Sequence, residues 1–143
     1  MGTPSDHRPS FQFPKAERLS SRKHIKALFT KGASFSLYPL RFVYQTIPGP
    51  DEANVQVVIS VSKRRFRHAY QRNRLKRQIR EAYRHHKHQI LPLVPTNQTL
   101  LLGIVYIGKS PEPFAHIQSK LKKGLDRLSD KAHLQKTNPD EQT

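Results

Sequence analysis

Residues 69–82 read AYQRNRLKRQIREA, a stretch in which arginine and lysine are interspersed with a few apolar residues. At about 100° per residue, a helix through this stretch collects its apolar side chains in one sector, made of Leu75, Ile79, Ala82 and Tyr83. The adjoining sector carries a polar and cationic stripe that consists of Asn73, Lys76, Arg77, Arg80 and Arg84. The stretch therefore predicts a long helix over 69–88 that packs by one side and presents cations beside it.

Positive charge is concentrated around this helix. Residues 63–88 contain eleven of the chain's 26 lysines and arginines but a single acid, Glu81. A solvated helix face usually mixes both signs in i,i+4 pairs, whereas Arg72, Lys76 and Arg80 place like charges at that spacing. We expect these three residues and Arg77 to point away from the core. Because arginine outnumbers lysine, the stripe favours bidentate phosphate contacts and stacking on unpaired bases over simple charge neutralisation.

The composition of the whole chain supports a polyanionic partner. The 143 residues suit one domain and carry a formal net charge of +16, which leaves nucleic acid, an anionic membrane or an acidic protein as partners. No apolar run approaches the roughly 20 residues that span a bilayer, and residues 1–15 lack a signal-peptide core. The chain has no cysteine and hence neither disulfides nor thiolate metal sites. These features fit a cytoplasmic protein. We expect no membrane partner, although the charge alone leaves attraction to a membrane surface open, because such segments usually carry Trp or Phe opposite the basic face.

Element by element, the pattern predicts one α+β domain at 15–130 between disordered tails at 1–14 and 131–143. A first helix over 22–31 begins after Ser20 or Ser21 and ends at Gly32. Strands are predicted at 34–37, 40–47, 55–62 and 100–107, the last being a continuous apolar run typical of a strand buried on both sides. A final helix after Pro113 carries an apolar stripe of Ile117, Leu121, Leu125 and Leu128. The predicted order is α-β-β-β-α-β-α.

The second and third strands alternate in polarity. Along the second, one face carries Leu40, Phe42 and Tyr44, and the other carries Arg41, Val43 and Gln45. Along the third, one face carries Val55, Val57, Ile59 and Val61, and the other carries Gln56, Val58, Ser60 and Ser62. Each strand therefore offers an apolar face to the core and a mixed face to a ligand.

The stretch 69–82 resembles the arginine-asparagine-arginine signature of bacterial ribonuclease P protein subunits. It is preceded by ISVSKR at 59–64, which is similar to the family's strand end Ser-Val-Ser-Lys-Lys. Upstream, Arg18-Leu19 and a short helix with Phe29 followed by Gly32 match the family's opening segment. The resemblance covers about residues 13–129. The chain departs from the family pattern at a few positions: Arg67 or His68 replaces a frequent glycine, Ile25 a frequent aromatic residue, and Gln45 a frequent tyrosine.

The resemblance implies a fold and a function. The expected fold is a sandwich in which a mixed sheet packs with helices and a left-handed β-α-β crossover spans the long helix, an exception to the usual right-handed rule. The expected function is that of a ribonuclease P subunit, which assists a catalytic RNA in removing the 5′ leader from precursor tRNA. These two RNAs are the implied partners. No small-molecule ligand is expected, and Mg²⁺ is expected on the RNA, with no cofactor bound by the protein alone.

The resemblance also assigns residues to the two RNAs. Binding of the catalytic RNA is assigned to the long helix and the preceding loop, that is, to Lys63, Arg64, Arg65, Arg67, Arg72, Asn73, Arg74, Lys76, Arg77, Arg80 and Arg84. The leader is assigned to a cleft between the first helix and the mixed sheet face, lined by Phe29, Val43, Gln45, Ser60 and Ser62. The alternative for Phe29 is that it only covers the core.

The residues of the chain itself argue against a catalytic centre in the protein. A two-metal nuclease needs clustered carboxylates that hold ions about 4 Å apart, whereas the ten acids are scattered. His85, His86 and His88 lack carboxylate or thiolate support for zinc, so we interpret them as additional RNA-facing cations at low pH. We therefore expect no metal site and no catalytic residue in this chain. Metal-free acid–base cleavage by histidines, a protein nuclease acting alone, and a ribosomal or other RNA-binding protein remain the alternatives.

Overall fold

The computed structural model describes residues 15–49, 55–89, 94 and 97–137. Within these ranges, the chain forms three α-helices and four strands in the predicted order. In chain order the elements are α1 (Arg22–Lys31), β1 (Ala33–Leu37), β2 (Leu40–Pro48), β3 (Val55–Val61), α2 (Ala69–His86), β4 (Gln98–Tyr106) and α3 (Phe114–Thr137). Short 3-10 helices occupy Lys15–Glu17 and Lys87–Gln89.

The four strands form one mixed sheet in the order β1-β2-β4-β3. β2 is antiparallel to β1 and to β4, whereas β3 runs parallel to β4. The outer edge of β3 pairs with the segment that precedes α1, where the Leu19 N–H donates to the Val57 carbonyl at 2.8 Å. β3 and β4 are thus parallel neighbours connected through α2, as expected. The handedness of this crossover stays a prediction.

One face of the sheet packs against α2 and α3 in the main core. The apolar sectors that the sequence assigned to these two helices are buried, which confirms the predicted phase of both: Leu75, Ile79, Ala82, Tyr83, Ile117, Leu121, Leu125 and Leu128. α3 approaches β2 so closely that a Cβ atom on Gly124 would overlap the Phe42 ring. Glycine is therefore required at this crossing by close approach.

The opposite face of the sheet packs against α1. A second, smaller cluster of buried apolar side chains joins Leu28 of α1 to Leu19, Val43 and Leu101. β4 is consequently covered on both faces, as its continuous apolar run predicted, with Leu101 and Leu102 both fully buried. The helices thus form a layer on each side of the sheet, which confirms the α+β sandwich.

The limits of two helices differ from the prediction. α2 ends at His86, two residues earlier than predicted, and the chain continues as a 3-10 helix in which the buried Lys87 ammonium pairs with the Glu17 carboxylate at 2.8 Å. The backbone of α3 continues to Thr137, into the tail predicted at 131–143, since residues 131–137 contain neither glycine nor proline. The predicted tail at 1–14 and residues 138–143 lie outside the described residues. Among the helices described, none has the length and apolar character to cross a membrane.

Candidate nucleic-acid interface

A set of exposed polar and cationic side chains extends from the loop after β3 onto α2. We call it the basic surface, and it comprises Lys63, Arg64, Arg65, Arg67, Asn73, Arg74, Arg77 and Arg80. All eight residues belong to the set predicted to bind RNA, and seven of them are cations. The four residues on α2 remain in solvent because the opposite side of that helix is buried in the core.

The loop at 62–68 holds its cations in place through local contacts. The Ser62 hydroxyl accepts hydrogen bonds from the backbone N–H groups of Arg64 at 3.1 Å and Arg65 at 3.4 Å. Phe66 is buried and packs edge-on against Tyr106, with ring centroids 5.7 Å apart. The Arg65 guanidinium also donates to the Ile107 carbonyl. Because Phe66 points inward as an anchor, the side chains on either side of it face solvent.

Arg72 differs from the other arginines of α2. Its guanidinium is half-buried and donates from Nη1 to the carbonyl oxygens of Phe66 at 2.7 Å and Arg67 at 2.9 Å. The expectation that Arg72 points away from the core is therefore wrong. Its side chain instead fastens the loop to the first turns of α2, which positions the basic surface.

The C-terminal end of the stripe is partly neutralised by its single acid. The Glu81 carboxylate contacts the Arg84 guanidinium at 2.7 Å and the His85 ring at 3.0 Å. These two contacts, Arg84 first, lower the pKa of Glu81 below its usual range. Arg84 and the similarly half-buried Lys76 are thus less available than the eight residues of the basic surface. The net positive charge is therefore greatest at the loop and the N-terminal half of α2.

The histidines at the end of α2 do not form one group of cations. Burial lowers the pKa of His86, and the neighbouring Lys122 ammonium lowers it further, so both disfavour the protonated ring. His85 contacts Glu81 instead. Within the part of the chain that the structure describes, no three His, Asp or Glu side chains come together as a metal site would require.

A second polar area lies on the α1 face of the sheet. The Phe29 side chain is 44% exposed, and its ring lies over Gly103 of β4, so close that a Cβ atom there would be 2.9 Å from Phe29 Cζ. The next row of the sheet is Arg41, Val105 and Ser60, which are neighbours on β2, β4 and β3. We call Phe29 together with this row the Phe29 surface.

Comparison with known proteins decides the family. The family model for Ribonuclease P matches residues 13–129. The chain belongs to the ribonuclease P protein family. The ribonuclease P protein component of Porphyromonas gingivalis is 34% identical to it over 122 residues, which cover 85% of this chain and 89% of that protein. The corresponding protein of Chlorobium phaeobacteroides is 38% identical over 103 residues, which cover 66% of this chain and 70% of that protein.

Solved ribonuclease P proteins share the fold. The Staphylococcus aureus protein superposes with a TM-score of 0.63 at 24% identity and covers 80% of this chain and 96% of its own. The Thermotoga maritima protein gives a TM-score of 0.60 at 24% identity, and the match covers 78% of this chain and 96% of that protein. As a member of this family, the chain is a subunit of an endoribonuclease holoenzyme that processes the 5′ leader of tRNA, and its partner in that holoenzyme is RNA.

The structure separates the five residues assigned to the leader cleft. Phe29 and the half-exposed Ser60 lie on the Phe29 surface. Val43 is only 3% exposed beneath α1, so its side chain supports the helix. The Oε1 atom of the half-buried Gln45 is also enclosed, and the Ser62 hydroxyl is used within its own loop. The Val43 side chain is therefore not offered to a ligand, whereas the leader contacts assigned to the half-buried Gln45 and Ser62 stay predictions.

Two residues of this area escaped the sequence reasoning. Arg41 is exposed, and its guanidinium donates to the Ser34 hydroxyl at 3.2 Å. The strand alternation already placed it on the mixed face, and a lone cation in an otherwise uncharged strand was the available signal. Gly103 is a lone glycine in an apolar strand, a pattern that marks close approach of another group. The identity of that group, Phe29, depends on strand pairing that sequence does not reveal.

Proposed function

We propose that this chain binds the catalytic RNA of ribonuclease P through the basic surface and the 5′ leader of precursor tRNA through the Phe29 surface. The observation that carries the proposal is the packing of α2. Its apolar side is buried in the core, so the helix backbone is held in place while the cations on the opposite side remain in solvent. Several cations presented at a regular helical spacing are suited to the repeated phosphates of a folded RNA.

The chemistry of the basic surface favours RNA over a small anion or an acidic peptide. Arginine supplies most of its cations, and the planar guanidinium contacts phosphate with two parallel hydrogen bonds or stacks on a base. Glu81, the sole acid within 63–88, is already paired with Arg84. Several exposed guanidinium groups without intervening acids can contact several phosphates at once, which favours a polymeric partner.

The Phe29 surface suits an extended single strand. Its aromatic ring is half exposed over Gly103, and the next row of the same sheet face carries Arg41 and Ser60 on either side of Val105. One aromatic–base stack contributes about 1–3 kcal/mol and accepts any base, as binding of varied leaders requires. A guanidinium and a hydroxyl in the next row of the sheet are suited to the phosphate and ribose of the same strand.

We assign cleavage to the RNA. The carboxylates of Glu17, Glu81 and Glu112 are each paired with a basic side chain and not with one another. Such carboxylates do not provide the acidic cluster that a pair of Mg²⁺ ions needs. We therefore propose that Mg²⁺ and the reacting groups belong to the catalytic RNA, that the protein positions substrate and RNA, and that the complex works in the cytoplasm.

The test is cleavage of end-labelled precursor tRNA by refolded catalytic RNA at low Mg²⁺, with and without this protein. We expect the protein to accelerate cleavage at low Mg²⁺ and to cleave nothing by itself. A variant with Arg77→Ala and Arg80→Ala should lose the acceleration and regain it as Mg²⁺ is raised, because added cations replace the lost charge. Absence of any acceleration, or cleavage by the protein alone, would refute the proposal.

A further inference from the structure

An exposed pair of aromatic rings lies at the start of α2. Tyr70 is 70% exposed, the highest value among the large apolar side chains that the structure describes. Its ring stacks on that of His68, with centroids 5.6 Å apart and planes inclined by 25°. Tyr70 belongs to neither apolar cluster of the fold. The two rings therefore leave an aromatic face in solvent without contributing to the core.

The His68 position carries a local cost. His68 is the N-cap residue of α2, yet its side chain accepts no hydrogen bond from the helix, and the first turn contains no acid. At the corresponding position of α1, the Ser21 hydroxyl accepts a hydrogen bond from the His24 N–H at 3.3 Å. Serine, threonine, aspartate or asparagine would satisfy the first turn of α2 better than histidine does. The N-cap position of α2 is thus occupied by an aromatic ring that stacks on Tyr70 and does not cap the helix.

The neighbours of the pair are cations. Tyr70, Arg74 and Arg77 follow one another at i, i+4 and i+7, so they share one face of α2. Arg67, which directly precedes His68 in the sequence, is also exposed. Unpaired RNA bases stack on tyrosine and histidine rings while arginines contact the adjoining phosphates. A protein partner would instead require further apolar side chains around Tyr70, and the neighbours on this face are charged.

We infer that the His68–Tyr70 pair is a stacking platform for one unpaired base of the RNA that the basic surface binds. Arg67 and Arg74 are placed to contact the phosphates on either side of that base. This inference rests on the proposed function, and it adds a contact that depends on ring shape and not on charge. It is separate from the Phe29 surface, which lies on the α1 side of the sheet.

The experiment compares Tyr70→Leu and Tyr70→Phe with the wild-type protein, using refolded catalytic RNA as the probe. Affinity is measured over a salt series, and the RNA is probed chemically at nucleotide resolution in each complex. Tyr38→Leu is the matched control, because Tyr38 is also exposed, at 50%, but lies outside the basic surface. Thermal melts of all variants report folding.

Tyr70→Leu should weaken binding by about 5- to 150-fold, the range of one aromatic–base stack, without changing the salt slope. Tyr70→Phe and Tyr38→Leu should bind as the wild type does, and one nucleotide should be protected by every protein except Tyr70→Leu. If the wild type binds with a steep salt dependence and Tyr70→Leu binds equally well, the platform is refuted and the proposed function stands. If the wild type does not bind the RNA, both are refuted.

Discussion

Arg72 and Arg77 show how two arginines of one helix acquire different roles. The Arg72 guanidinium is fixed by two carbonyl oxygens of the loop at 62–68, whereas the Arg77 side chain is exposed. Residue type does not distinguish them, but helical periodicity does: Arg77 lies about 140° around the helix from Arg72, which falls between Ile79 and Tyr83 of the apolar sector. What the sequence does not show is the partner of Arg72, because the loop carbonyls lie within its reach only once Phe66 is buried.

Replacing Arg72 should therefore affect stability more than replacing Arg77. Arg72→Ala removes two charge-assisted hydrogen bonds from a half-exposed site, and we expect a loss of about 1–2 kcal/mol in the free energy of unfolding. Arg77→Ala should stay within about 0.5 kcal/mol of the wild type. Urea unfolding followed by circular dichroism measures both. Equal midpoints for the two variants would mean that the Arg72 contacts contribute nothing to the fold.

Phe29 is the residue whose replacement separates a leader contact from a core role. Phe29→Leu removes the aromatic face, so it should weaken holoenzyme binding to precursor tRNA with a leader of several nucleotides by about 5- to 150-fold. Binding to mature tRNA should not change. Gly103→Ala should give the same selective loss, because the added Cβ displaces the ring. Equal losses for both RNAs, or a loss that follows the melting temperature, would mean that Phe29 only covers the core.

At the scale of elements, the sequence predicts what is local and misses what depends on pairing. The phase of α2 follows from periodicity, and Leu75 and Ile79 are buried as expected. The order β1-β2-β4-β3 brings together strands far apart in the chain, so sequence alone places neither Phe29 over Gly103 nor Arg41 and Ser60 in one row on either side of Val105. For the same reason, the sequence assigned Val43 to the leader cleft, although α1 covers its side chain.

The close crossing of α3 and β2 at Gly124 sets helix propensity against packing in the core. Gly124→Ala raises helix propensity by about 1 kcal/mol, but the new methyl group overlaps the Phe42 ring in the core. Overpacking of a core typically costs about 1–3 kcal/mol, so we expect net destabilisation. Ser119→Ala, at an exposed position of the same helix, is the control and should be neutral or slightly stabilising. Thermal unfolding measures both variants, and a Gly124→Ala protein more stable than the wild type would show that the crossing is loose.

At the scale of the molecule, the two surfaces lie on opposite sides of one sheet and meet at one end of it. α1 and the Phe29 surface belong to one face, whereas α2 packs on the other. The loop at 62–68 follows β3 just after Ser60 and connects the two sides. A chain with a net charge of +16 arranged in this way is suited to hold a folded RNA on one side and a single strand on the other.

The central claim is that the basic surface binds the catalytic RNA, and its most direct test is the salt dependence of that binding. The variant Arg77→Ala/Arg80→Ala is compared with Lys122→Ala/Lys123→Ala, which removes the same charge from exposed positions of α3. We expect the first variant to bind more weakly and to flatten the slope of log affinity against log salt by roughly one unit per lost phosphate contact, about two in all. The second should retain nearly the wild-type slope. An unchanged slope for Arg77→Ala/Arg80→Ala, or equal flattening by both variants, would contradict the assignment of this surface.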